Sequence, residues 1–223
     1  MTTLLIATRN EHKVGEIRGI LGQGFQYLTL KDFPGAPLVV EDAPTFEGNA
    51  TKKAVELARW VAVTQTSLPA SLLVLADDSG LEVDALGGAP GVLSARFASE
   101  DSHSGNAPDA DNNAKLLRLL NSVEPTRRTA RFRCVIALTP VFRPAKTNFS
   151  PVCEANEFEL NTRLFQGKCE GQIGFVPRGD AGFGYDPLFI PSGKQATFAE
   201  LGEAEKNLIS HRSRALANLQ HSL

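Results

Sequence analysis

The residues that could carry chemistry fall in five short blocks. The first is Thr8-Arg9-Asn10-Glu11-His12-Lys13, a polar turn leading into a helix start. Free backbone N–H groups at a helix N-terminus favour anions, and Lys13, one turn in, adds a point charge; the result is a phosphate cradle. An asparagine turn that only caps a helix fits the same residues. The second block, Asp77-Asp78-Ser79-Gly80, is expected at the end of a buried strand. Adjacent carboxylates there are costly unless hydrogen-bonded, paired or on a metal. Alternation along a strand turns them to opposite faces, so only one faces the site. Mg2+ takes one or two carboxylates and completes its shell with waters and substrate phosphates. The competing reading is a turn whose aspartates cap backbone N–H groups.

The third block, from Glu41 to Lys53, joins the acids Glu41, Asp42 and Glu47 to a helix carrying Lys52 and Lys53. It offers a second metal-ligand carboxylate and a second phosphate-binding lysine, or an ordinary solvated helix start. The fourth, Gly179 to Pro187, sets Phe183 among glycines. These let the backbone approach a ligand and leave the ring free to stack, unless Phe183 is simply a core residue beside a turn. The fifth, Glu205 to Arg212, gathers Lys206, His211 and Arg212 near a helix start. Such donors could read a carbonyl oxygen on a base; a basic helix end on the surface is the plainer alternative.

The elements that must position these blocks alternate between β and α patterns. Thr3 to Ala7 reads as a buried strand, Glu11 to Leu21 as a helix with Val14, Ile17, Ile20 and Leu21 on one face, and Phe25 to Leu30 as a second strand. Asn49 to Val63 reads as a helix, and Leu72 to Ala76 as a central strand that ends in the Asp-Asp-Ser-Gly turn. Leu81 to Ala85 alternates like a half-buried strand, and Gly87 to Gly91 is a turn. Glu100 to Asp111 reads as a polar loop, Asn112 to Leu120 as a short helix and Ala130 to Leu138 as a strand. Glu157 to Leu164 alternates like a further strand, and Pro140 to Ala155 has no clear pattern. Ser210 would cap a last helix carrying Leu216 and Leu219. Polar turns at strand C-termini are where open α/β sheets bind ligands. The order of elements predicts a single α/β unit over residues 1–223.

Composition excludes several classes. The 223 residues are 42% hydrophobic and 22% charged, with a formal net charge of −2, against both general disorder and a basic nucleic-acid binder. The longest apolar runs are strand-sized, far short of the roughly 20 residues a membrane helix needs. No basic n-region precedes a long apolar stretch, so no signal peptide is expected. Cys134, Cys153 and Cys169 form no CxxC pair and suit reduced cytoplasmic thiols. The sequons at Asn49 and Asn148 then carry no meaning. There is no GxxxxGK[ST], GxGxxG, HExxH or GxSxG motif, and the four histidines lack metal-ligand spacing.

Taken in order, the blocks resemble the inosine/xanthosine triphosphate pyrophosphatase family. The motifs are T-x-N-x-x-K, E-x-x-x-T-F-x-x-N-A-x-x-K-A, DDSGLEVDALGGAPG-x-x-SARF, GFGYDP-x-F and EKN-x-ISHR-x-RAL, and they run from Thr8 to about Leu216. The resemblance implies an elongated, two-lobed α/β fold with a central mixed sheet and a nucleotide cleft between the lobes. It implies a cytoplasmic homodimer that cleaves ITP, dITP and XTP, with Mg2+, to nucleoside monophosphate and pyrophosphate. Thr8, Asn10 and Lys13 would hold the triphosphate, with Lys53 beside them. Glu41 and Asp78 would serve the metal, and Asp78 is the family's proposed proton acceptor, though a metal-bound carboxylate is a poor base. Ser79, Phe183, Gly184, Tyr185, Asp186, Lys206, His211 and Arg212 would surround the nucleoside, Phe183 stacking on the base. Adenine, with an amino group at C6, would leave the donors of Lys206, His211 or Arg212 unpaired, a penalty that reaches about 10⁴-fold in other sites. Arg9 departs from the pattern, and the loops near 64–71, 102–111 and 140–156 are longer than usual. A pyrophosphatase for other modified nucleotides, or a nucleotide-binding protein without catalysis, remains the alternative.

Overall fold

In a computed structural model of the chain, residues 1–69, 71–99, 105–142 and 157–222 are described. The strands are β1 (Thr3–Ile6), β2 (Gln26–Thr29), β3 (Leu72–Val83), β4 (Thr129–Pro140), β5 (Arg163–Ile173) and β6 (Phe189–Pro191). The main helices are α1 (Glu11–Leu21), α2 (Phe46–Thr64), α3 (Asp109–Leu119), α4 (Phe198–Ile209) and α5 (His211–Gln220). The strands form one six-stranded sheet in the order β2-β1-β3-β4-β5-β6. β1 is parallel to β2 and β3, and β5 is antiparallel to β6, so the sheet is mixed and the α/β class holds.

Two compact units make up the chain. The first contains Met1–Asp78, Val135–Phe165 and Asn218–Leu223, the second Ser79–Cys134 and Gln166–Ala217. In the first, Leu4, Leu5 and Ile6 are fully buried, as a strand flanked by two neighbours requires. The apolar stripe of α2 (Ala50, Ala54, Leu57, Ala58 and Val61) is buried as its spacing predicts. That helix begins at Phe46, ahead of the expected Asn49, because the Thr45 side chain accepts a hydrogen bond from the Gly48 N–H at 3.1 Å and caps it there. The second unit has its own core, in which Leu81, Val83, Leu116, Phe132, Leu188, Phe189 and Phe198 pack together. Ser210 caps α5 as expected, accepting from the Ser213 N–H at 3.1 Å.

Three expectations need correction. Asp77-Asp78-Ser79-Gly80 is not a turn; it lies inside the unbroken 12-residue strand β3, where cationic side chains meet the two carboxylates. Residues 157–160 are helical rather than extended: the Asn161 N–H bonds to the Glu157 carbonyl, and Leu160 is 82% exposed where the alternation would have buried it. The strand starts at Arg163 and runs on to Ile173, through glycines that hid it. Asp109 to Asp111 form the acidic first turn of α3, a favourable place for negative charge, rather than the end of a loop. The rest of the polar loop around 100–104, the irregular stretch 143–156, Cys153 and the sequon at Asn148 lie outside the described residues.

Candidate active site

The first unit gathers the residues expected to handle phosphate and metal. The turn after β1 is tied by its own side chains: the Asn10 N–H donates to Thr8 Oγ at 3.2 Å, and the Lys13 N–H donates to Asn10 Oδ1 at 3.1 Å. Thus the capping reading of Asn10 holds, and the cap sets the direction in which α1 leaves the turn. One turn in, Lys13 Nζ reaches Asp77 Oδ1 at 2.5 Å. From α2, Lys53 Nζ donates to the Asp77 carbonyl at 2.7 Å and lies 3.3 Å from Asp78 Oδ1 and 3.1 Å from Glu41 Oε2. Lys13, Lys53, Glu41 and Asp78 therefore join one charge cluster, with Asp77 as the member the sequence reading left without a role.

Glu41 lies on the segment leading into α2, which another unassigned residue holds. Asn49 is buried on the first turn of α2, accepts from the Ala43 N–H at 2.9 Å and donates to the Ala43 carbonyl at 3.3 Å. Its only trace in the sequence is a polar residue on the apolar side of a helix. A side chain so used is no glycosylation acceptor.

The cluster shifts its own proton affinities. Burial pushes the Asp78 carboxyl up, against Lys53 and Lys13, and the neighbouring Glu41 adds to the rise, to about 6. Burial also pushes Glu41 up, but Lys53, a hydrogen bond from Asp78 and Lys13 outweigh it and leave Glu41 below the ordinary carboxylate range. Burial alone would lower Lys53; Asp78, Glu41 and Asp77 reverse that and keep the ammonium charged. Asp78, once protonated, is close enough to donate to Glu41. Deprotonated, its Oδ2 is a buried acceptor with no donor. Among the described residues no group of three or more His, Cys, Asp or Glu side chains forms a metal cage.

The second unit gathers the residues expected around the nucleoside. Lys206, near the end of α4, is 2% exposed and pairs at 2.5 Å with Asp186, itself 1% exposed. Asp186 Oδ2 also accepts from the Phe183 N–H at 2.9 Å. Lys206 Nζ stands 4.6 Å from the centre of the Phe183 ring, and the Arg212 guanidinium 5.9 Å from it. Arg212 Nη2 donates to Ser79 Oγ at 2.8 Å. His211 stacks on Phe132 with ring centres 4.7 Å apart and planes 12° apart. Lys206, His211 and Arg212 are all buried, so the surface reading of this basic segment does not hold.

The glycine-rich loop resolves its two readings residue by residue. Phe183 is half-buried, and the core place is taken by Tyr185, whose hydroxyl donates to the Ser94 carbonyl at 2.9 Å. The Tyr185 side chain thus belongs to packing and offers no accessible hydroxyl; its phenol is pushed up, first by burial and then by Asp109. Gly182 has φ +80°, and a Cβ there would sit 2.1 Å from Asp186 Oδ2, so neither conformation nor space admits a side chain. Gly184 has φ +62° and is held by two residues the sequence reading did not single out. Its N–H donates to Asp109 Oδ2 at 2.6 Å, and its carbonyl accepts from Asn113 Nδ2 at 2.9 Å. Polar residues four apart on one helix face were the available signal.

An α/β chain with acid-paired lysines after its first strand, and a cation-backed aromatic in a glycine-rich loop, defines a class of protein built to handle phosphorylated ligands. The Ham1 family model matches residues 4–222, and the chain belongs to that family. A dITP/XTP pyrophosphatase of Geobacter sulfurreducens is 50% identical over 224 residues, covering 100% of this chain and 97% of that protein. Another, of Desulforamulus reducens, is 46% identical over 96% of this chain and 91% of its own length. Among solved structures, a HAM1 protein from Coxiella burnetii superposes with a TM-score of 0.76 at 36% identity, covering 100% of this chain and 98% of that one.

Proposed function

We propose that this protein hydrolyses non-standard purine nucleoside triphosphates (ITP, dITP and XTP) to the monophosphate and pyrophosphate. The reading is supported by full-length likeness to relatives named dITP/XTP pyrophosphatases. The observation that carries it into chemistry is the cluster in which Lys13 and Lys53 meet Asp77, Asp78 and Glu41.

Cleavage between the α and β phosphates leaves charge on a departing pyrophosphate. Lys13 and Lys53 supply the cations that offset it, and the first turn of α1 presents backbone amides to the same anion. Thr8 and Asn10 act by fixing that turn. The donor set also fits a hard divalent cation: two adjacent carboxyls, one with a buried oxygen that lacks a donor, suit Mg2+, which takes few protein oxygens and keeps its waters. Glu41 and Asp78 would hold it, and the ion would supply charge neutralisation and polarise the phosphoryl oxygens. Asp78 gives up its proton near 6 and is therefore ionised at neutral pH.

On the base side, Phe183 provides the stacking surface, and Lys206, His211 and Arg212 provide donors for an oxygen at C6. Asp186 pairs with Lys206 and aims its ammonium, while Ser79 Oγ accepts from Arg212 and aims the guanidinium. A 6-amino base offers these buried donors no acceptor at C6. Two properties extend the reading to the whole protein. The described cysteines, Cys134 and Cys169, are buried and suit a reducing cytoplasm. The exposed Leu38, Val40 and Val63 give the first unit apolar surface for a homodimer.

The test is purified protein with Mg2+ against ITP, XTP, GTP, ATP and dTTP, with pyrophosphate and orthophosphate scored separately. Pyrophosphate mainly from ITP and XTP is expected. Orthophosphate as product, a preference for dTTP, or tight ITP binding without turnover would each replace the reading with another.

A further inference from the structure

We infer that Asp109 and Asn113, one turn apart on α3, are positioning residues for the nucleobase, acting through the Gly184 peptide that follows the stacking ring of Phe183. The inference rests on the proposed nucleotide reading. Asp109 and Asn113 lie four apart and so share a helix face. Asp109 Oδ2 accepts the Gly184 N–H at 2.6 Å, and Asn113 Nδ2 donates to the Gly184 carbonyl at 2.9 Å. Gly184 takes a left-handed conformation at φ +62°, where glycine alone is unstrained and where, untied, it would move most freely. On the other side of the ring's own backbone, the Phe183 N–H is tied to Asp186. The ring is therefore fixed from both sides, and its distance of 4.6 Å from Lys206 Nζ is set by α3 as much as by α4.

The helix that does this is itself anchored. Asn112, next to Asn113, accepts from the Ala98 N–H at 2.8 Å and donates to the Ala95 carbonyl at 3.3 Å. Lys115 Nζ reaches the Phe97 carbonyl at 2.5 Å. Residues 95–98 thus hold one side of α3 while the other side holds Gly184. Asn113 is buried, and its Oδ1 has no donor. Its carboxamide has therefore given up one hydrogen bond to aim Nδ2 at Gly184. Neither residue touches the base; they decide where the surface that receives it stands.

Three variants test this on the full chain with Mg2+: Asp109→Ala, Asn113→Ala and Asp109→Asn. Both alanine variants should raise KM for ITP about tenfold, the scale of a lost stacking contact, with kcat within about twofold. Inhibition by inorganic tripolyphosphate, which carries no base, should be unchanged. Asp109→Asn keeps an oxygen that accepts from the Gly184 N–H and should restore KM. An unchanged KM, equal weakening of ITP and tripolyphosphate, or no rescue by asparagine would overturn the positioning role. If Asn113→Ala fails to fold, the Asp109 pair decides alone. Amide exchange at Gly184 separates the two ideas. It should accelerate in Asp109→Ala and not in Asp109→Asn, and unchanged exchange overturns the clamp whatever the nucleotide. Wild-type protein that leaves ITP intact overturns the functional reading instead.

Discussion

Burial and two lysines pull Asp78 in opposite directions, and burial wins. Its carboxyl holds a proton up to about 6, above the ordinary carboxylate value. The charged form is thus the costly one, so Asp78→Asn should fold without loss of stability at neutral pH while hydrolysis of ITP is abolished. Circular dichroism melting and pyrophosphate release check the two halves, and full activity would remove Asp78 from the mechanism. On the proposed metal reading, protons and Mg2+ compete for the same oxygen. Below pH 6 the half-saturating Mg2+ concentration should rise about tenfold per unit, as one-proton competition requires, measured by titrating metal against rate. Lys53 meets both carboxyls, and Lys53→Met should lower kcat/KM about a hundredfold, the scale of a lost charge-assisted hydrogen bond or two.

At the scale of elements, the loop from Gly182 to Asp186 depends on a missing side chain. Gly182→Ala would force a left-handed alanine against Asp186, the buried partner of Lys206. A loss of about 2 kcal/mol in chemical denaturation is expected. The pattern of legibility follows the same logic. β1, α1, α2 and β4 were readable because each buries a regular stripe of apolar residues. β5 was not: Gly167 and Gly171 weaken a strand signal, yet a Cβ at Gly167 would lie 2.1 Å from the His211 carbonyl and one at Gly171 2.4 Å from the Ile190 carbonyl. Tertiary contact, not local preference, asks for those glycines. The Asp-Asp-Ser-Gly segment looked like a turn because a sequence does not show which lysine arrives from which helix. The five blocks held most of the charged residues of the site; within them Asp77 and Asn49 had no assigned role, and Asp109 and Asn113 lay outside them, because all four act by holding others.

For the whole molecule, β3, β4 and β5 each begin in one compact unit and end in the other. Unfolding should therefore be one cooperative transition. Fluorescence of the single tryptophan, Trp60 of the first unit, should melt together with the near-ultraviolet signal of Tyr185 in the second. Burial raises both tyrosines, Tyr27 and Tyr185. The folded chain then keeps phenolic protons that the unfolded chain releases above about pH 10, so stability falls as pH rises past that point. A titration followed at 295 nm should show Tyr185 ionising only as the protein unfolds.

The charge cluster at the end of β1 has one more consequence. Two lysines there face three carboxylates, so with nothing bound and all acids ionised the cluster is an anion. From these five side chains, a bare phosphate or chloride would meet a net negative charge rather than a waiting positive hole. Only an anion that brings its own countercharge reverses that sign. On the proposed reading, such a cluster would hold off the abundant small anions and admit a polyphosphate together with its metal as a unit.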